Sequence, residues 1–171
     1  GMQEAKQRGA FVGALTCNRP SPMEEIADWT IAPLVGPEVI TGSTRLKAGS
    51  ATKLVLNMLT TAAMVRVGKT YGNLMVDVQS SSEKLKDRAR RIVIIVTGLD
   101  DDGANKLLNR AHWNVKAAIV MQKVGLPYTK AVSRLRTTGG SMRAAIGEDI
   151  EPRLRELLGA RASATPPSGA V

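Results

Sequence analysis

Val35-Gly36-Pro37-Glu38-Val39-Ile40-Thr41-Gly42-Ser43-Thr44-Arg45-Leu46-Lys47-Ala48-Gly49-Ser50-Ala51-Thr52-Lys53 is the stretch on which the reading of this chain turns. It begins in a loop, Pro33 to Gly42, broken by two glycines and two prolines, and runs without pause into a long apolar segment. Gly42 lets the backbone turn tightly. Ser43 or Thr44 can cap the helix that follows, which then carries Arg45 and Lys47 in its first turn. Cations there oppose the helix dipole by about 0.3–1 kcal/mol each, where a sequence serving stability alone would place Asp or Glu. Backbone N–H groups, two hydroxyls and two cations together suit an anion. The alternative is that Arg45 and Lys47 reach into solvent or pair with Glu38. Glu38 itself, five residues before Ser43, is either such a partner or a carboxylate for sugar hydroxyls or acid/base work.

Working outward, the segment from Ser43 to Val67 is predicted to be one helix, ended by Gly68. Its middle, Leu54 to Val65, is apolar nearly all round, and such a helix is buried in a core or an interface. On the amino-terminal side, Gln3 to Arg8 is predicted to be a helix stopped by Gly9. Phe11 to Thr16 has the unalternated apolar character of a parallel strand covered on both faces. Asn18 to Pro22 is a loop, Pro22 to Ala27 a short helix, and Trp29 to Ala32 a second strand. This order is a piece of an α/β unit. Two strands do not complete a doubly wound sheet, so the rest is expected upstream or from another chain.

Beyond Gly68 the pattern becomes helical. Ser80-Ser81-Ser82-Glu83 contains a Ser-x-x-Glu capping box for a helix reaching about Val96. Shorter helices are predicted from Asp100 to Arg110, Asn114 to Lys123, Pro127 to Arg136 and Ser141 to Ile146, with a last one over Pro152 to Leu158. Gly98, Gly125 and Gly139-Gly140 punctuate them. Residues 162–171 are small and Pro-rich, the composition of a disordered tail.

The hydrophobic fraction is 43% but aromatics are only 3% of the 171 residues, so the core must be aliphatic. No run approaches the ~20 apolar residues needed to cross a bilayer, and the charges of residues 3–8 are not followed by an apolar stretch of the length expected of a signal peptide. One cysteine, Cys17, cannot form an internal disulfide, which fits a reducing cytoplasm; it is expected to be a buried small apolar residue. The formal net charge is +9, but the basic residues are scattered. The densest run, Lys84 to Arg91, lies on a predicted helix, includes Asp87 and has no interleaved aromatics, so a solvated helix face is expected rather than a nucleic-acid surface. His112, beside Trp113, is expected to be structural or exposed, and nothing near it has metal-ligand spacing.

Gly36-Pro37-Glu38-Val39-Ile40-Thr41-Gly42-Ser43-Thr44-Arg45-Leu46-Lys47-Ala48-Gly49 resembles the signature shared by N-acetylmuramic acid 6-phosphate etherases and the animal glucokinase regulatory protein. The likeness continues through Ala51 to Leu59, Gly68-Lys69 and Tyr71 to Val78, and again at Asn114 to Met121. It implies the carboxy-terminal part of a sugar-isomerase-type α/β domain, doubly wound, over residues 2–79. A connecting helix (80–97), a small all-α helical bundle (98–160) and a disordered tail (161–171) would follow. It also implies a cytoplasmic homodimer that needs no cofactor or metal and takes an amino-sugar phosphate, with neither nucleic acid nor membrane as partner. The implied reaction, part of peptidoglycan recycling and amino sugar catabolism, cleaves the D-lactyl ether of N-acetylmuramic acid 6-phosphate to N-acetylglucosamine 6-phosphate and D-lactate. A base removes the proton beside the opened sugar's aldehyde, lactate leaves and water adds. The acid/base glutamates that such a lyase needs map onto no residue here: Glu4, Glu24 and Glu25 lie outside the matching motifs, and the base is expected upstream. What carries over is a substrate-binding wall of Glu38, Ser43, Thr44, Arg45 and Lys47. The competing expectation is a non-catalytic sugar-phosphate-binding regulatory module.

Overall fold

The computed structural model describes residues 1–163. The tail expected at 161–171 lies, from residue 164 onward, outside the described residues. The chain is mostly helical with a few short strands, and it divides into two compact units, Gly1–Ala62 and a second that begins at Ala63.

The first unit opens with helix α1 (Met2–Gln7), which ends before Gly9 at a φ of +77°. Strand β1 (Gly13–Leu15), helix α2 (Pro22–Ile26) and strand β2 (Trp29–Ile31) follow. β1 and β2 pair in parallel, Gly13 opposite Trp29 and Leu15 opposite Ile31. A parallel pair needs a crossover, and α2 lies within it, with Pro22 at its first turn and the Ser21 hydroxyl accepting from Met23 N–H. Two further bonds tie the strand starts together. Val12 N–H donates to the Asp28 carboxylate and Asp28 N–H donates to Val12 O, both at 2.7 Å. The Val12 N–H holds the Asp28 carboxyl below its ordinary range, with Lys6 3.3 Å away adding to the effect.

Ala14 is buried, but Phe11 just before β1 is 74% exposed. The cover expected on both faces of this strand is therefore incomplete among the described residues. The same holds for α3 (Lys47–Arg66), the longest helix. Of its apolar side chains only Val55 is buried, whereas Leu54 is 63%, Leu56 49% and Met58 62% exposed.

The second unit carries the core. After α3, a hairpin of β3 (Thr70–Tyr71) and β4 (Leu74–Met75) turns at Gly72, whose φ of +57° suits a first turn position that favours glycine. No alternation marks it in the sequence, because two-residue strands are too short to show a pattern. Helices α4 (Glu83–Thr97), α5 (Asp101–Arg110), α6 (Val115–Val124), α7 (Tyr128–Thr137), α8 (Met142–Ile146) and α9 (Glu151–Ser163) complete the described chain. α6 is the hub and packs against α4, α5, α7 and α8. Ala117, Ala118, Ile119 and Val120 are all fully buried, so consecutive residues are apolar because every side of this helix meets another. Val93 and Val96 of α4, Leu108 of α5 and Met142 of α8 close around it. Burying a Leu or Ile side chain contributes about 1.5–3 kcal/mol, so this aliphatic cluster supplies the folding drive that sparse aromatics do not.

Polar caps fix where the helices begin. Asp100, Asn114 and Ser141 accept from Gly103, Ala117 and Ala144 N–H respectively. For α4 the cap is Ser82, which accepts from Leu85 N–H, rather than the Ser80 of the expected Ser-x-x-Glu box. His112 and Trp113, with φ of 50° and 59°, carry the chain through the tight corner between α5 and α6, and the His112 ring sits edge-on to Tyr128 at 4.9 Å.

Candidate functional site

Between β2 and α3 the chain makes a run of tight turns. Gly36 and Gly42 adopt φ of +68° and +82°, values that an L side chain resists. Ser43 N–H donates to Ile40 O and Leu46 N–H to Ser43 O, so residues 43–46 form turns and regular helix begins only at Lys47. Gly49 N–H reaches back to Thr44 O at 2.8 Å.

Glu38 closes this arrangement. Its carboxylate accepts from Lys47 N–H at 2.9 Å and from Ala48 N–H at 3.0 Å. Two orphan donors of α3 are thus satisfied by a negative charge at the positive end of the helix. The sequence placed the cap at Ser43 or Thr44; it comes instead from across the loop. The Ala48 N–H, then the Lys47 N–H, hold the Glu38 carboxyl below its ordinary value. A carboxylate stabilised in this way is a weaker base. The Lys47 ammonium does not pair with Glu38 at salt-bridge distance; it donates to Pro37 O at 3.0 Å and lies beside Gly36.

The structure therefore brings Glu38 and Lys47 together around the start of α3 and leaves Ser43, Thr44 and Arg45 on the turn between them. Thr44 and Arg45 are exposed and Ser43 is half-buried. Among the described residues, neither the two hydroxyls nor the Arg45 guanidinium has a side-chain hydrogen bond or ion pair. Chemically this is a rigid turn with two free hydroxyls and one free cation, fixed by an internal carboxylate. It can bind an oxyanion through Arg45 and the hydroxyls, while the first helix N–H groups are already occupied.

Cys17 contributes to the same local structure, which the sequence did not indicate. Its sulfur lies 3.6 Å from Ala48 O and 3.6 Å from the Thr52 hydroxyl, joining the end of β1 to the first turns of α3. It is half-buried rather than fully buried. No group of His, Cys, Asp and Glu side chains among the described residues could hold a metal ion.

No family model matches the chain. Individual proteins do. An N-acetylmuramic acid 6-phosphate etherase of Alkaliphilus metalliredigens is 47% identical over 155 residues, 88% of this chain and 50% of the relative. That of Rubrobacter xylanophilus is 51% identical over 151 residues, again 88% of this chain and 50% of the relative. That of Mycolicibacterium smegmatis is 50% identical over 147 residues, covering 86% and 49%. Identity at this level over nearly nine-tenths of the chain marks common descent. The chain is a homologue of the N-acetylmuramic acid 6-phosphate etherases, and it spans about half the length of the curated relatives it matches.

Proposed function

We propose that this chain forms a sugar-phosphate-binding wall of a carbon–oxygen lyase that cleaves the D-lactyl ether of N-acetylmuramic acid 6-phosphate. The products are N-acetylglucosamine 6-phosphate and D-lactate, and the setting is cytoplasmic peptidoglycan recycling. The observation that carries this reading is the identity of about half of all matched residues to proteins named as etherases, joined to a turn that offers unsatisfied hydroxyls and a free guanidinium. In this reading Arg45, with the Ser43 and Thr44 hydroxyls, binds the anionic group of the substrate. Lys47 adds positive charge while holding the loop through Pro37. Glu38 fixes the turn.

The parallel β1–β2 pair with α2 in its crossover supports the finer assignment to a sugar-isomerase-type, doubly wound domain. The exposed apolar side chains of α3 support a homodimer, in which a second copy covers that helix. No helix among the described residues is long and apolar enough to cross a membrane.

Breaking the ether requires a base to take the proton beside the sugar aldehyde. Glu38 is the only carboxylate of the turn, and two N–H donors hold it in the weakly basic state. We therefore place the base outside the described residues. That same observation favours a second reading, a regulatory module that binds the sugar phosphate without turning it over. A coupled assay for D-lactate separates the two from a self-sufficient enzyme. This chain incubated with N-acetylmuramic acid 6-phosphate should release no lactate above a buffer control, while calorimetry detects binding. Turnover that Glu38→Gln abolishes would overturn the assignment of the base.

A further inference from the structure

The second unit holds a cavity of about 550 Å³ that shares no residue with the Glu38–Lys47 segment. The end of α3, the β3–β4 turn and the loop between α7 and α8 enclose it. Its lining includes two guanidinium groups, Arg66 and Arg143, with Gly68, Gly72, Gly139 and Ser141. No carboxylate is among the lining residues.

Three features make these walls rigid. Gly68, at a φ of +73°, packs so closely on Gly140 that an added Cβ would sit 2.8 Å from the Gly140 carbonyl carbon and oxygen. The Lys116 ammonium donates to Gly68 O at 2.9 Å and lies against Gly140, which pins the two glycine segments from behind. Burial there holds the Lys116 amine below its ordinary range. On the opposite side, Tyr71 is buried and its hydroxyl donates to Glu148 O at 3.1 Å.

The polar groups are not spent on one another. Arg66 has no ion pair among the described residues. Arg143 gives one guanidinium nitrogen to Asp149 and keeps its remaining donors. The Ser141 oxygen accepts from Ala144 N–H, so its own proton is free to donate. Two carboxylates lie nearby without lining the cavity: Asp149, which is paired with Arg143, and Glu151, whose oxygen is 3.4 Å from where a Cβ of Gly72 would stand. Guanidinium forks match phosphate oxygens in shape and charge.

We propose that this cavity is a binding site for the phosphate group of a small phosphate monoester. Arg66, Arg143 and the Ser141 hydroxyl hold the phosphate. The inference does not depend on the etherase reading, because it rests on no residue of the turn before α3.

Calorimetry and amide NMR on the whole chain carrying Arg45→Ala and Lys47→Ala test it, since that background removes the charges of the other turn. Inorganic phosphate and glucose 6-phosphate are the probes. Both should bind, with shifts at the Gly72 and Gly139 amides. Arg66→Gln should weaken both by about tenfold or more, the loss expected for a charge-assisted hydrogen bond. Arg88→Gln, an exposed cation of α4, should change affinity by less than about twofold. Arg66 is exposed, so thermal melts should show the Arg66→Gln fold intact; an unfolded variant is replaced by Ser141→Ala, for which the same weakening of phosphate is expected. Absence of binding in the double-alanine background would overturn the proposal. So would equal weakening by Arg66→Gln and Arg88→Gln, or shifts that miss Gly72 and Gly139.

Discussion

Glu38 is the residue on which the local geometry depends. Its carboxylate spans nine and ten residues to reach Lys47 N–H and Ala48 N–H. This contact fixes the angle at which the loop enters α3. Because those N–H groups lower its pKa from an ordinary 4.5, the charged form is favoured in the fold. The stabilisation is therefore complete above about 4.5 and is lost as the pH falls through the lower folded value. Glu38→Gln keeps an acceptor but loses the charge. It should lower the melting temperature at pH 7 by a few degrees, and the gap from the wild-type chain should close as the pH is taken toward 3. Melts across that range check it, and a gap that stays constant with pH would show that the charge contributes nothing. The tight turn at Gly42 was legible in the sequence, because its positive φ is a freedom of that residue itself. The role of Glu38 was not, since a bond across nine residues of irregular loop leaves no periodic trace.

Among the elements, helix starts were read well wherever the cap is a neighbour in sequence, as at Asp100, Asn114 and Ser141. The reading slipped where equivalent serines compete, and Ser82 rather than Ser80 caps α4. It failed for the β3–β4 hairpin, whose strands are shorter than one pattern repeat. The Asn114 cap carries a prediction of its own, because it opens the hub helix α6. Asn114→Ala removes the acceptor for Ala117 N–H, 3.0 Å away, and should cost about 1 kcal/mol by denaturant titration, with an unchanged slope. A change near zero would mean that packing alone positions α6. For α3 the pattern was read correctly as apolar nearly all round, but the burial that this pattern calls for is not supplied by the described residues. If a second copy supplies it, the chain should sediment as a dimer at micromolar concentration. Leu56→Glu, at a site 49% exposed in the single chain, should then yield a folded monomer. A wild-type chain that sediments as a monomer would contradict the proposed interface.

At the scale of the whole molecule, the two units are built differently. The second has an aliphatic core closed around α6. The first has a two-stranded parallel pair and a helix whose apolar residues remain exposed, in a chain matching half the length of its etherase relatives. Parallel sheets of this type are covered on both faces when complete. The two short strands of this unit were legible in the sequence as apolar runs between polar loops. The central claim is that this turn binds the sugar phosphate through Arg45 rather than serving the fold. Calorimetry of N-acetylmuramic acid 6-phosphate with the wild-type chain and with Arg45→Ala, alongside thermal melts of both, tests it most directly. The expected result is an affinity lower by about tenfold to a hundredfold in the variant at an unchanged melting temperature. Equal affinity in the two proteins, with a sharply lower melting temperature for Arg45→Ala, would contradict it and make Arg45 a structural residue.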